Sequence, residues 1–158
     1  GRAINLAIDS LADVISEIRR EILDVDMRRA SPLRLQLEDA LIPILLPSDA
    51  QLDLRIDAPD LIDEVSRHVR AVCIEGTSNA VRHGKASMVS IAVVLADKVL
   101  TVLISDDGIG LPDATQSRNG LQNMRDRAES LGGKMEITSM KNQGTTIEWT
   151  IPCTGWCA

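Results

Sequence analysis

The N-terminal part of the chain carries apolar residues at helical spacing. Between Ile4 and Leu23 the apolar side chains recur at three- and four-residue steps, close to a heptad, and predict an amphipathic helix. Ser31-Pro32 interrupts this pattern. A second helix is predicted from Leu33 to about Leu46, because Pro47 cannot continue it.

The remainder of the chain alternates strands with helices. Apolar and polar residues alternate over Gln51–Asp57 and predict a strand, and Asp106–Gly120 is rich in loop-forming residues. The other predicted elements are a helix from Pro59-Asp60 to about His83, strands Met88–Leu95 and Val99–Ser105, a helix Leu121–Leu131, and strands Lys134–Met140 and Thr145–Ile151. This order predicts an α+β sandwich with helices on one face of a mixed sheet.

Composition and charge narrow the class of protein. A length of 158 residues suits one domain with its own core, and 44% hydrophobic and 25% charged residues are ordinary for a globular protein. Aromatic residues are nearly absent, with two Trp and no Phe or Tyr, and this argues against the stacking of single-stranded nucleic acid on aromatic side chains. The net charge of -6 also disfavours nucleic acid as a partner. No apolar run has membrane-spanning length, and we expect a cytoplasmic location without membrane contact.

The cysteines and the termini add two expectations. Cys73, Cys153 and Cys157 do not form a disulfide framework, and we expect free thiols in a reducing compartment. The spacing of Cys153 and Cys157 lacks the second pair that a metal site requires. The chain starts at Gly1 inside a helical pattern and without Met, so we expect it to be part of a longer protein.

The first group of candidate functional residues lies on the long predicted helix. Steps of four and three residues place Glu75, Asn79 and Arg82 on one stripe, with His83 at its edge. An Asn oxygen can ligate Mg²⁺, and Arg82 and His83 can reach phosphate oxygens. Glu75 can orient or deprotonate an attacking group. The alternative is a solvated helix face with ordinary intrahelical pairs.

Three glycine-containing segments form the other candidates. Asp106-Asp107-Gly108-Ile109-Gly110 follows an apolar strand, so a carboxylate lies beside backbone that a ligand can approach, and Asp106 could accept a hydrogen bond from adenine. Gly120-Leu121 precedes a helix whose free N–H groups favour phosphate. Gly144-Thr145 begins the last strand. Ordinary turns and helix starts would explain each segment separately.

The order of these segments resembles the GHKL ATPase superfamily of gyrase, Hsp90, histidine kinases and MutL. Within it, the chain is similar to the nitrate-sensor-like (NarX/DesK-type) histidine kinases over about Gln51–Pro152. Glu75–His83 resembles the N box, Asp106–Gly110 the G1 box, Gly120–Gly133 the G2 region, and Gly144-Thr145 with Pro152 the final Gly-Thr element.

The resemblance implies a fold and a set of site residues. The fold would be the Bergerat fold, with ATP held between the helices and a mostly antiparallel sheet, under a short lid at Leu111–Asn119. Asn79 would hold Mg²⁺, Glu75 would lie near the γ-phosphate, and Asp106 would bind adenine. The other expected nucleotide contacts are Arg82, His83, Gly108, Gly110, Gly120, Leu121 and Thr145.

The resemblance also implies an activity, partners and domains. It implies an ATP-dependent protein-histidine kinase that transfers the γ-phosphoryl group to a histidine on a dimerisation domain, for relay to an aspartate of a response regulator. The full-length protein would be a homodimer. Residues 1–28 would be the C-terminal part of the dimerisation helix, 29–152 the ATP-binding catalytic domain and 153–158 a tail. Alternatively, the first helix belongs to the same compact domain.

The sequence departs from the family pattern at several positions. The His-Asp pair of the phosphoacceptor helix is missing, and of the two histidines His83 belongs to the N box and His68 is expected to be solvated. We therefore expect ATP binding without autophosphorylation. Arg118 replaces the usual first glycine of the G2 region, and Asp107, where Asn is common, adds negative charge near the site.

Two other functions remain open at this point. An anti-sigma-factor Ser/Thr kinase of the same superfamily is disfavoured by the heptad-like first helix and by the Met124–Ala128 segment. A nucleotide-binding module without catalysis is disfavoured by the presence of both Glu75 and Asn79. A gyrase-like or Hsp90-like protein would need a longer lid and a transducer domain.

Overall fold

The computed structural model describes residues 10–18, 32–111 and 118–157 of the chain. The chain divides into two compact units, Gly1–Pro32 and Leu33–Ala158. Within the described residues, no helix combines the length and the apolar composition needed to cross a membrane.

The first unit contains one described helix, α1, at residues 10–18. Its large apolar side chains are half exposed or more: Leu11, Val14, Ile15 and Ile18. The rest of the predicted helix Ile4–Leu23 lies outside the described residues. The assignment of residues 1–28 to a dimerisation helix therefore stays a prediction.

The second unit combines three helices and five strands among its described residues. The helices are α2 (Pro32–Leu45), α3 (Asp63–Arg82) and α4 (Arg118–Ser130), and a 3-10 turn (Leu46–Ser48) follows α2. The strands are β1 (Gln51–Asp57), β2 (Met88–Ala96), β3 (Val99–Asp106), β4 (Lys134–Met140) and β5 (Gly144–Pro152). The elements and their order agree with the sequence prediction.

The five strands form one mixed sheet in the order β1-β2-β3-β5-β4. β1 and β2 are parallel and are joined through α3, whereas the other neighbours are antiparallel. The β2–β3 hairpin turns at Asp97 and Lys98, which both have positive φ angles (52° and 61°). Two consecutive residues with positive φ give a two-residue turn whose twist matches that of the flanking strands. β5 lies between β3 and β4, so the start of β5 is adjacent to the end of β3.

One face of the sheet packs against the helices. Ile91, Ile104 and Ile147 are cross-strand partners on β2, β3 and β5, and all three are buried. One side of α3 is also buried: Val65, Val69, Val72, Gly76 and Ala80. α2 adds four buried leucines to the same core: Leu33, Leu37, Leu41 and Leu45. The fold is therefore the predicted α+β sandwich.

Two helix boundaries differ from the sequence prediction. α3 begins at Asp63 rather than at Pro59-Asp60, since Ile62 is extended (ψ 153°) and Asp63 and Glu64 occupy the first turn, where acidic side chains are favoured. α4 begins at Arg118 rather than at Leu121. Gly120 thus lies within the first turn of α4 instead of before it.

The expectation of three free thiols is wrong for the C-terminal pair. The structure pairs Cys153 and Cys157, four residues apart, as a disulfide. Gly155 between them has a φ of +78°, a left-handed conformation that turns the short segment back on itself. Cys73 is a free, buried thiol on α3.

Candidate nucleotide-binding site

A pocket lies between α3, the first turn of α4 and the adjacent ends of β3 and β5. Five of the residues proposed from the sequence line it: Asn79, Asp106, Gly110, Leu121 and Thr145. The remaining lining residues are Gly76, Ala80, Gly84, Ile104, Leu111 and Ile147. Residues from four separate sequence segments therefore meet at one site.

Asn79 is a buried polar side chain on the α3 wall of the pocket. It is 9% exposed, and its Nδ2 atom has no hydrogen-bond partner among the described residues. Its backbone carbonyl accepts hydrogen bonds from the N–H groups of His83 and Gly84, which end the helix. A buried polar group without a partner costs about 1–3 kcal/mol. The Nδ2 donor of Asn79 is therefore available for a hydrogen bond to a ligand in the pocket.

Asp106 is the last residue of β3 and is half-buried at the pocket. Burial raises the pKa of its carboxyl group, and the charge of Asp107 acts in the same direction. Hydrogen bonds from the backbone N–H groups of Gly108 (2.8 Å) and Thr145 lower the pKa and oppose this shift. These bonds fix the orientation of a carboxylate that can accept a further hydrogen bond from a ligand.

Asp107 has a different environment from its neighbour. Its carboxylate accepts hydrogen bonds from the Ser87 N–H (2.8 Å), the Ser87 hydroxyl (2.7 Å) and the Met88 N–H (2.9 Å). These bonds, that of Met88 first, lower the pKa of Asp107. The negative charge of Asp107, which the sequence predicted near the site, is thus hydrogen-bonded to the start of β2. No local motif indicated these hydrogen bonds.

The loop after Asp107 is held from two sides. On one side the Ile109 N–H donates to the Gly84 carbonyl (2.8 Å), and on the other the Asn142 N–H donates to the Ile109 carbonyl (2.8 Å). Gly110 has a φ of +85°, and a Cβ atom there would lie 2.7 Å from the Met140 carbonyl oxygen. Glycine is required at this position by both its conformation and its contact. Gly108 does not line the pocket but packs against the Gly84 carbonyl.

Glu75 and Gly120 are neighbours in the structure. A Cβ atom on Gly120 would collide with the Glu75 carboxylate, so the first turn of α4 packs directly against this part of α3. Neither residue lines the pocket, although Leu121 beside them does. The N–H groups of a first helical turn lack helical acceptors, and the Glu75 carboxylate lies next to them.

The other proposed contacts lie farther from the pocket. Arg82 is exposed, and His83 is half-buried as the C-cap of α3; neither lines the pocket. Most of the predicted lid, residues 112–117, and the Arg118 side chain lie outside the described residues.

His68 is not the solvated helix residue that was expected. It is half-buried on α3, and its Nδ1 atom lies 3.3 Å from the guanidinium of Arg127 on α4. Burial lowers the pKa of the imidazole, and the charge of Arg127 lowers it further. The position of Arg127, 59 residues farther along the chain, could not be inferred from the helix pattern.

A sequence profile of the family described as histidine kinase-, DNA gyrase B-, and HSP90-like ATPase matches residues 64–155. The signal transduction histidine-protein kinase/phosphatase UhpB of Salmonella typhimurium is 36% identical over 104 residues, which are 65% of this chain and 20% of UhpB. The nitrate/nitrite sensor protein NarQ of Escherichia coli is 30% identical over 151 residues, 92% of this chain and 26% of NarQ. The chain thus spans about a fifth to a quarter of these relatives.

The fold is also found in a solved kinase structure. The histidine kinase domain of the Erythrobacter litoralis EL346 blue-light activated histidine kinase superposes with a TM-score of 0.66 at 22% sequence identity, covering 77% of this chain and 61% of that chain. The profile match includes the α3, β3, α4 and β5 segments that form the pocket. The motif resemblance is thereby confirmed, and the chain belongs to the family of histidine kinase-, DNA gyrase B- and HSP90-like ATPases.

Proposed function

We propose that the chain is the ATP-binding catalytic domain of a sensor histidine kinase. It transfers the γ-phosphoryl group of ATP to a histidine on a dimerisation domain, for relay to an aspartate of a response regulator. The observation that carries this proposal is the joint position of Asn79 and Asp106. A buried amide whose Nδ2 atom lacks a hydrogen-bond partner and a half-buried carboxylate line one pocket in a chain of this ATPase family.

The carboxylate end of the pocket suits adenine. The Asp106 carboxylate is oriented by two backbone N–H groups and can accept a hydrogen bond from the exocyclic amino group of the base. Gly110 lines this pocket, and Gly108 donates its backbone N–H to the Asp106 carboxylate. Ile104 and Ile147 give this end of the pocket apolar walls for the ring.

The other end of the pocket suits the phosphates and Mg²⁺. No cluster of three or more His, Cys, Asp or Glu side chains among the described residues could hold a metal ion. Mg²⁺ commonly binds one or two protein oxygens together with phosphate oxygens and water, so the Asn79 amide oxygen suffices as the protein ligand. The proposed phosphate contacts are Arg82, His83, Gly120 and Leu121. Thr145, whose backbone N–H donates to Asp106, is a proposed nucleotide contact at the adenine end.

Glu75 is the proposed catalytic residue. Its carboxylate lies beside Gly120 in the first turn of α4, next to the proposed phosphate contacts. The imidazole nitrogen would attack the γ-phosphorus of bound ATP, the bond to the β-phosphate would break and ADP would leave, while Glu75 orients the imidazole and accepts its proton. The remaining contribution of the domain is positioning and charge neutralisation.

The acceptor histidine is proposed to come from another part of the full-length protein. The chain has two histidines, and His68 contacts Arg127 while His83 caps α3. The exposed apolar side chains of α1 support its pairing with a second copy in a homodimer. A kinase that uses ATP and a response regulator is proposed to act in the cytoplasm.

Calorimetric titration of the chain with ATP, with and without Mg²⁺, tests the site. Asp106→Asn should abolish binding, because the Gly108 and Thr145 N–H groups would hold the amide oxygen and leave the NH2 donor facing the amino group of adenine. Asn79→Ala should remove mainly the effect of Mg²⁺. Asp126→Asn on the exposed side of α4 is the matched control and should bind ATP as the unmodified chain does.

Incubation with γ-labelled ATP tests the transfer. The chain alone should retain no label, and label should appear on an added dimerisation domain that carries the acceptor histidine. If the unmodified chain binds no ATP, the proposed function is wrong. If it binds ATP but transfers no phosphoryl group to any acceptor domain supplied, a non-catalytic nucleotide-binding module becomes the better description.

A further inference from the structure

We infer that Ser139 is a positioning residue of the nucleotide site. It lies near the end of β4 and does not itself line the pocket. The inference rests on the proposed function, because the segments that Ser139 joins are the walls proposed to hold ATP. Ser139 acts through two of these walls, the Gly110–Leu111 backbone and Thr145.

The hydroxyl group of Ser139 connects β4 to the loop after β3 and to the start of β5. It accepts a hydrogen bond from the Leu111 N–H (2.8 Å) and lies 3.0 Å from the Thr145 hydroxyl oxygen. Its oxygen also lies 3.4 Å from the Gly144 carbonyl oxygen, to which it can donate. A hydroxyl group offers one proton and two lone pairs, so it can satisfy a donor on one segment and an acceptor on another at the same time.

The contact joins parts of the chain that are distant in sequence. Leu111 precedes Ser139 by 28 residues, whereas Thr145 follows it by 6. Asn142, in the turn between β4 and β5, donates to the Ile109 carbonyl (2.8 Å) and adds a second bond between the hairpin and the loop. The hairpin therefore holds the wall of the pocket formed by Gly110 and Leu111.

The geometry gives Ser139 a direct influence on ligand affinity. Gly110, Leu111 and Thr145 all line the pocket, and Thr145 also donates its backbone N–H to Asp106. Without the Ser139 hydroxyl, the Leu111 N–H would donate to water instead, because this end of β4 is exposed. The Gly110–Leu111 backbone would then become ordered only when the ligand binds. Ordering that accompanies binding reduces affinity.

The test compares the full chain with Ser139→Ala, Ser139→Thr and Ser130→Ala. Ser139→Thr keeps the hydroxyl and suits a strand. Ser130→Ala is the matched control, since Ser130 also donates its hydroxyl to a backbone carbonyl, that of Arg127, but at the end of α4. Two quantities are measured: the Kd for ATP by calorimetry, and the hydrogen-exchange rate of the Leu111 amide without ligand.

Ser139→Ala should weaken ATP binding about 3- to 10-fold, the range that one hydrogen bond commonly provides. It should also accelerate exchange at Leu111, while Ser139→Thr restores both values and Ser130→Ala changes neither. The inference is overturned if Ser139→Ala leaves the Leu111 exchange rate unchanged, or if it binds ATP like the unmodified chain. It is equally overturned if Ser139→Thr behaves like Ser139→Ala.

These outcomes separate the inference from the proposed function. An unmodified chain that binds no ATP overturns both, whatever the exchange rates show. An unmodified chain that binds ATP, with the Ser139 variants indistinguishable from it, overturns only the role of Ser139. The exchange rate of Leu111 is measured without nucleotide and therefore reports the contact independently of binding.

Discussion

At the residue scale, the candidate site depends on two adjacent carboxylates with opposite environments. Asp106 is half-buried at the pocket, where loss of solvation disfavours its charge, whereas Asp107 is exposed and accepts three hydrogen bonds from Ser87 and Met88. Successive residues near a strand end point in opposite directions, so one carboxylate reaches the pocket and the other reaches the start of β2. The Asp-Asp pair therefore combines a candidate ligand-binding group with a structural one.

We predict that the two carboxyl groups titrate on opposite sides of the ordinary aspartate pKa of 3.8. The raised pKa of Asp106 means that ATP affinity should fall as the pH is lowered through that pKa, because the protonated acid no longer offers the carboxylate acceptor. NMR titration of the carboxyl carbons measures both groups, and calorimetry at several pH values measures the affinity. If both carboxyl groups titrated together near the ordinary aspartate pKa, the result would contradict the environments that the structure gives them.

The same shifts affect stability in opposite directions. The depressed pKa of Asp107 contributes stability above the unfolded-state value, and this stability is lost as the pH falls through the folded-state pKa. For Asp106 the folded state holds the proton more tightly. Its contribution to stability therefore declines as the pH rises from the ordinary value through the raised pKa.

At the element scale, α4 is positioned by contacts at two points. Its first turn packs through Gly120 against Glu75 on α3. In its middle, the indole N–H of Trp149 on β5 donates to the Met124 carbonyl (3.0 Å) in the buried layer between helix and sheet. Because Leu121 lines the pocket, the position of the whole helix determines the shape of the site.

We predict that Trp149→Phe destabilises the domain by about 2–4 kcal/mol, because it removes a buried hydrogen bond and leaves space in the core. Trp149 is fully buried, and the chain offers a matched control in Trp156, which is only partly buried. Trp156→Phe should cost less than about 1 kcal/mol. Urea denaturation followed by circular dichroism measures both variants, and equal losses would show that the α4 contact is unimportant.

At the scale of the whole molecule, the pocket and the C-terminal tail lie at opposite ends of the sheet. β3 ends at Asp106 in the pocket, whereas its first residue, Val99, pairs with Pro152 just before the tail. The backbone N–H of Cys153 donates to the Lys98 carbonyl (2.7 Å) in the β2–β3 turn. The Cys153–Cys157 pair is therefore attached to the fold away from the candidate site.

We predict distinct reactivities for the three cysteines. Before reduction, the native chain should show no reactive thiol, since Cys153 and Cys157 are paired and Cys73 is buried with its pKa raised to about 12. After reduction, two thiols should react, and Cys73 should react only on unfolding. Counting thiols with a chromogenic disulfide reagent measures this. Two reactive thiols in the untreated chain would contradict the disulfide. The control is Cys153→Ser, which leaves Cys157 unpaired and should show one reactive thiol without reduction.

The sequence by itself determined the elements and their order, and it identified three polar residues that line the pocket: Asn79, Asp106 and Thr145. The alternation of apolar and polar residues predicted β1 at its observed bounds, Gln51–Asp57. The sequence did not determine where the helices begin. Helix propensity changes gradually along the chain, whereas a cap or a packing contact fixes the first helical residue. Gly120, predicted to precede α4, lies in its first turn against Glu75.

Only the tertiary structure decided which of these residues meet. The sheet order places β5 beside β3, which brings Thr145 to Asp106, and it places the end of β4 close enough for Ser139 to bind Leu111. The bonds of Asp107 to Ser87 and of His68 to Arg127 have the same origin. Such contacts depend on strand order and register, which local residue patterns do not specify, because they join residues separated by many intervening positions.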